Sequence, residues 1–291
     1  MIDVTLDLDD GGRLAIALLD GGPLNVLSPE LLRELTCALD EYEDSDARAL
    51  VIGSEIPGVF ASGGDVELVS RTDATGFVSY MHALREAVDR LAGLDTPTIA
   101  ALDGRAFGGG LELALACTLR VASSGAALGL PQVKLGTIPA AGGTQRLPRL
   151  IGHGKALDLL VTGRTVEAEE AYAIGLVDRL APAGEALTAA IELARDIASA
   201  SMPAVSAVRR AAAASASSFP EGMAVEAREA LALFERGEAR EGFDAFLQHR
   251  PPNFARSARS STSLRSPSRR ARFASSRARF RPCPPRSMAC R

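Results

Sequence analysis

The chain has 291 residues, a formal net charge of −4, 47% hydrophobic and 4% aromatic residues, and no Trp. That length suits one large domain or two modest ones, with an interior filled mainly by Ala, Leu, Val and Ile. No apolar run reaches the roughly 18 residues of a membrane span, and cysteines at 37, 117, 283 and 290 form no CxxC or Cys/His cluster, so neither a zinc site nor a disulfide framework is supported.

The acidic, strand-like opening has no basic stretch followed by an apolar run. No secretory signal is expected, and the setting is read as reducing and cytoplasmic. The charge is unevenly divided. Residues 255–291 hold 11 Arg and no Lys, Asp or Glu, which leaves 21 basic against 36 acidic groups in residues 1–254.

In chain order, two strands are predicted at Val4–Asp9 and Arg13–Leu19, joined by the turn Asp10-Gly11-Gly12. Ser28-Pro29-Glu30 gives a cap and an initiating Pro for a helix to about Asp44, with Leu31, Leu32, Leu35 and Leu39 on one face. A buried strand follows at Ala49–Gly53, then the glycine-rich stretch 61–65 and a long helix over roughly 74–91. Thr96-Pro97 ends that helix and starts a strand at Thr98–Leu102. A second glycine-rich stretch, 104–110, leads into an apolar helix at Leu111–Cys117.

Strands are expected at Leu119–Ser123 and Ala127–Leu130, and 131–143 reads as a loop. Helices then dominate, at about 144–151, 153–162, 167–173, 184–200, 203–217, 221–235 and 238–249. Gly175 stands where a left-handed cap ends the third of these. Alternating strands and helices followed by helices alone define a mixed α/β core with a C-terminal helical region. Residues 255–291, rich in Arg, Ser, Pro and Ala, cannot bury enough apolar area to offset their ordering entropy and are expected to be disordered. Their 11 Arg would attract nucleic acid or an acidic membrane, but two Phe offer little stacking and the preceding domain is acidic, so neither partner is expected.

The two glycine-rich stretches are candidate sites of chemistry. Phe60-Ala61-Ser62-Gly63-Gly64-Asp65 follows a strand and precedes a short helix, as does Gly104 through Glu112. Glycine lets the backbone turn tightly, and a helix start adds unpaired N–H donors. Two such donors meeting at one oxygen form an oxyanion hole. Neither stretch fits GxGxxG or a P-loop, and no metal site is indicated. Glu112 sits in a helix whose other residues are Leu, Ala and Cys. A carboxylate there must be paired, or must carry a proton with a raised pKa.

These residues resemble the crotonase superfamily, the enoyl-CoA hydratase/isomerase family. The likeness rests on Ala106-Phe107-Gly108-Gly109-Gly110-Leu111-Glu112-Leu113-Ala114-Leu115-Ala116-Cys117, on the run Leu130 through Leu147, on Ala168–Val177 and on the ending Glu241–Phe254. It covers about residues 3–254 in order. It implies a spiral of ββα units (1–195) with the active site, a helical assembly region (196–254), and a homotrimer or hexamer. It implies an acyl-CoA substrate with no separate cofactor, coenzyme A being part of the substrate.

By position, the thioester oxygen meets the Gly64 and Gly109 amides, and Ala61, Ser62, Gly63, Asp65 and Gly108 line the substrate and coenzyme A path. Glu112 matches the first of two glutamates that the family's hydratases use. The second position is Gln132, an amide that holds water but exchanges no proton near neutral pH. The expected activity is an enoyl-CoA hydratase-like lyase with Glu112 as acid/base and Gln132 orienting water or substrate. Isomerisation, decarboxylation or hydrolysis of another acyl-CoA would use the same oxyanion hole, and an acyl-CoA-binding homologue without activity is the non-enzymatic alternative.

Overall fold

The computed structural model describes residues 2–254; the tail expected to be disordered, 255–291, lies outside the described residues. Alternating apolar residues form β1 (Asp3–Asp9) and β2 (Leu14–Asp20), an antiparallel pair with Asp9 opposite Leu14. Between them Asp10, Gly11 and Gly12 all take positive φ (54°, 68° and 85°), a turn conformation that suits Asp and Gly. After the short β3 (Val26–Leu27), α1 (Pro29–Asp44) starts at Ser28, whose Oγ accepts from Leu31 N at 3.2 Å. Such a cap contributes about 1 kcal/mol.

A repeating spiral follows. Its first turn contains β4 (Ala49–Ser54), β5 (Val59–Ala61), β6 (Gly63–Gly64), α2 (Val66–Arg71) and α3 (Ala74–Gly93). The next contains β7 (Thr98–Leu102), β8 (Arg105–Phe107) and α4 (Gly109–Ala116). Then come β9 (Leu119–Ser123), β10 (Ala127–Gly129), α5 (Gly143–Ile151) and α6 (His153–Thr162). The stretch 131–143, expected as a loop, opens with a 3₁₀ turn at Pro131–Leu135. β11 (Thr165–Glu167), α7 (Ala168–Ala173), β12 (Arg179–Ala181) and α8 (Ala186–Ser199) complete the core. Gly175, at φ 79°, terminates α7 as the sequence suggests.

Each turn contributes one strand to each of two sheets. The larger runs β1-β2-β4-β7-β9-β12 and the smaller β11-β10-β8-β5, with β4, β7, β9 and β12 parallel in one and β5, β8 and β10 parallel in the other. The corners stack. Arg105 N donates to Gly58 O at 3.0 Å, and Ala127 N to Gly104 O at 3.2 Å. A Cβ on Gly104 would lie 2.1 Å from Gly58 O, so only glycine fits this corner.

The central strands β4 and β7 of the larger sheet are buried on both faces, which explains their unbroken apolar runs, whereas the edge strand β1 alternates and is partly exposed. In β4, Leu50 and Ile52 join the main core with α1, α3 and α4, while Ala49 and Val51 face α8 through Ala190, Leu193 and Ala194. Residue 195 lies within α8, whose buried face packs on the sheet. The region 196–254, which we propose as the assembly region, takes in the end of α8 and then α9 (Met202–Ala213), α10 (Phe219–Arg236) and α11 (Glu238–Leu247).

Candidate active site

Helix α4 is apolar and buried over its whole length, and Glu112 within it is only 1% exposed. A carboxylate in that position requires partners. Its Oε1 accepts from Ala141 N at 2.7 Å and Gly143 N at 2.9 Å. Burial is the largest influence on this carboxyl and raises its pKa above the ordinary glutamate value; the Gly143 and Ala141 amides, then Arg146 and Arg85, act in the opposite sense.

Arginines anchor the loop that carries those amides. Arg85 donates to Ala140 O at 3.1 and 3.3 Å, and Arg146 donates to Ala141 O at 2.8 Å while pairing with Asp89 at 2.6 Å. Arg149 donates back to Gln145 O within its own helix. These are structural roles for Arg146 and Arg149. Gly142, at φ 102°, leaves room for the Arg146 guanidinium, which a Cβ would approach to 2.0 Å.

The two glycine-rich bends lie against each other. A Cβ on Gly109 would sit 3.5 Å from Gly64 N, and one on Gly63 would sit 3.5 Å from Gly109 N. Gly109 is the first residue of α4, where an N–H has no partner within the helix. Gly108 N is occupied by Gly129 O at 2.9 Å, and Gly108 takes φ 51° and ψ −122°, open to glycine alone. Gly110 lets α4 approach β5, since a Cβ there would lie 2.2 Å from Ala61 O.

Gln132, in the 3₁₀ turn, reaches the same place. Its Nε2 donates to Glu112 Oε2 at 3.3 Å, and a Cβ on Gly108 would lie 3.5 Å from that nitrogen. Its Oε1 is buried and has no hydrogen-bond partner among the described residues. Ala61 is fully buried at the end of β5, Ser62 N donates to Leu24 O at 3.0 Å, and Asp65 caps α2 by accepting from Leu68 N at 2.8 Å. The structure thus brings Glu112, Gln132, Gly63, Gly64, Gly108 and Gly109 together, while the Asp65 side chain is committed to its own helix.

Three contributors escape sequence reasoning. The Ala141 and Gly143 amides act through backbone, which leaves no side-chain signal. Tyr80 lies on the buried face of α3 with Leu84, Val88 and Leu91. Its hydroxyl accepts from Asp65 N and donates to Leu27 O, both at 2.8 Å. Burial, the largest influence, pushes the Tyr80 phenol up to about 12, so it stays protonated. A tyrosine on an apolar helix face, which must find a partner for its O–H, is the signal that was available.

A buried carboxyl beside two closely packed glycine bends is an arrangement that can move a proton next to backbone N–H donors. The family model for enoyl-CoA hydratase/isomerase matches residues 11–257. A methylglutaconyl-CoA hydratase of Mus musculus is 38% identical over 239 residues, covering 79% of this chain and 75% of the relative. A probable enoyl-CoA hydratase of Mycobacterium tuberculosis is 40% identical over 236 residues, covering 79% and 90%. The crystal structure of an enoyl-CoA hydratase from Bacillus anthracis superposes with a TM-score of 0.82 at 32% identity, covering 87% of this chain and 98% of that one. The chain belongs to the enoyl-CoA hydratase/isomerase family and has the crotonase fold. It is a hydratase-like enzyme of acyl-CoA thioesters.

Proposed function

We propose that the chain adds water across the double bond of a 2-enoyl-CoA thioester, with Glu112 as the single acid/base and the Gly64 and Gly109 amides as the oxyanion hole. The observation that carries this reading is the buried Glu112, anchored through Oε1 by two amides so that Oε2 faces Gln132. In the forward direction ionised Glu112 takes a proton from the attacking water, whose oxygen bonds to Cβ. Negative charge then develops on the thioester oxygen, where the two amides stabilise it. Protonation at Cα by Glu112 completes the addition. Removing a donor from such a hole typically costs about 10²–10³ in kcat.

Gln132 replaces a second proton carrier with a neutral amide. Its partnerless Oε1 accepts a hydrogen bond from the attacking water, or from the hydroxyl of the product. Coenzyme A passes Ala61, Ser62, Gly63 and Gly108, and no separate cofactor enters the reaction. A cytoplasmic setting is part of this reading, supported by the scattered cysteines. Incubating the purified chain with crotonyl-CoA tests the proposal. The expected result is loss of the conjugated absorbance with a product one water heavier, abolished in Glu112→Gln. No turnover of any 2-enoyl thioester, or undiminished turnover in Glu112→Gln, refutes it.

We also propose a trimeric or hexameric assembly. It is supported by exposed Phe219, Phe234, Phe243 and Phe246 on α10 and α11. An apolar cleft of about 680 Å³, lined by Val133, Ile138, Leu157 and Val161 among others, supports it as well. Light scattering that finds only monomer at micromolar concentration rejects it.

A further inference from the structure

We propose that Tyr80 is a positioning residue for the oxyanion hole: its hydroxyl sets the placement of the Gly64 amide. The inference rests on the reading of Gly64 as an oxyanion donor and extends it to a residue that touches no substrate.

The strand that carries Gly64 is β6, two glycines long. Neither residue has a side chain, so nothing of its own anchors this strand in the core. β6 pairs parallel with β3, with Val26 opposite Gly63 and Leu27 opposite Gly64. One step further, Asp65 N and Leu27 O stand on either side of the Tyr80 hydroxyl, which accepts from the first and donates to the second at 2.8 Å each. The side-chain oxygen thus serves as the next rung of the ladder and holds the two strands apart by its own width.

Two further observations tie the hydroxyl to Gly64 itself. A Cβ on Gly64 would lie 2.8 Å from the Tyr80 oxygen, whereas the ring carbons stand off at 3.6 and 3.7 Å. Gly64 is absent from the positive-φ glycines, so its backbone tolerates a side chain. The hydroxyl is therefore the atom that demands glycine here. Tyr80 is only 6% exposed and packs in the main core, so the ring is held rigidly by α3. Because the hydroxyl is bonded at both ends, it cannot shift without moving Leu27 or Asp65. Without it, Asp65 N and Leu27 O are free to approach each other directly. That movement turns the Gly64 peptide, although the ring still fills the core.

The test is Tyr80→Phe, which keeps the ring and removes the rung. The probe is butyryl-CoA carrying ¹³C at the thioester carbonyl, a saturated ligand that cannot be hydrated, read by infrared difference spectroscopy. Wild type is expected to lower the carbonyl stretch on binding. Tyr80→Phe is expected to lose at least half of that shift, with kcat on crotonyl-CoA falling about 10-fold or more and KM changing less than about 3-fold, the pattern of an interaction made in the transition state. Steric coupling gives a second readout: Gly64→Ala should cost several-fold less activity in the Y80F background than alone, because the contact at 2.8 Å is gone.

A folded Tyr80→Phe with the wild-type carbonyl shift and kcat overturns the role of Tyr80 and leaves the oxyanion hole standing. No shift in wild type sinks the oxyanion reading and this inference together. Should Tyr80→Phe fail to fold, Gly64→Ala alone decides: an unchanged shift and rate overturn the inference, and loss of both supports it.

Discussion

Gln132 donates through Nε2 to Glu112 Oε2 at 3.3 Å and leaves its own Oε1 buried, without a partner among the described residues. This pairing suits an ionised Glu112, since a carboxylate accepts and an amide nitrogen donates. In the proposed reaction it places one proton carrier beside one neutral group.

Replacing Gln132 by Glu restores a second carrier. Hydration of crotonyl-CoA should rise by roughly 10²-fold, the lower end of what general acid–base catalysis contributes. The two carboxyls would titrate as a pair sharing a proton. Gln132→Leu, which removes both the donor to Glu112 and the free acceptor, should lower kcat by about 10-fold or more. Steady-state kinetics of the two variants check this; a fall in both contradicts the assigned role of Gln132.

The pH dependence of activity follows from the raised pKa of Glu112. Hydration needs the ionised form to take a proton from water. The acid limb of kcat/KM should therefore lie above the ordinary carboxylate range, and activity should fall as pH drops through it. An activity that stays flat down to the ordinary glutamate range excludes Glu112 as the base.

Stability gives an independent reading of the same group. A carboxyl whose folded pKa is raised binds its proton more tightly in the folded state, so it opposes folding above its folded pKa. That cost disappears as pH falls below the unfolded value. Glu112→Gln keeps an acceptor for the Ala141 and Gly143 amides without the charge. It should melt at a higher temperature than wild type at pH 7–8, with the difference shrinking toward about pH 4. Melting curves across that range decide it, and a variant less stable at neutral pH speaks against the burial penalty.

Gly110→Ala tests how closely α4 must approach the sheet. A Cβ 2.2 Å from the Ala61 carbonyl oxygen forces the helix outward. Overpacking of this kind costs about 1–3 kcal/mol or more. Chemical denaturation should show that loss, together with reduced activity because Gly109 and Glu112 ride on the same helix. Wild-type stability in Gly110→Ala contradicts the packing described.

Much of this architecture is legible in the sequence for identifiable reasons. The long helices announce themselves by a cap at Ser28 or an apolar stripe such as Leu84, Val88 and Leu91. The central strands β4 and β7 of the larger sheet read as apolar runs because both their faces are buried. Strands β3, β5, β6, β8, β11 and β12 have two or three residues each, too few to establish a period, and they exist because the spiral stacks them. The helix expected over 203–217 ends at Ala213 and tightens into a 3₁₀ turn. In the site, Glu112 stands out as the one acid in an apolar helix. The Ala141 and Gly143 donors and the Tyr80 bridge depend on long-range placement that local pattern does not carry.

The central claim is that the Gly64 and Gly109 amides share one thioester oxygen beside Glu112. The most direct measurement is a crystal structure with a 3-hydroxyacyl-CoA bound. The thioester oxygen should lie about 3 Å from both amide nitrogens, with the Glu112 carboxyl facing the Cα–Cβ bond. An oxygen touching only one amide, or a Glu112 turned away from the acyl chain, contradicts the account.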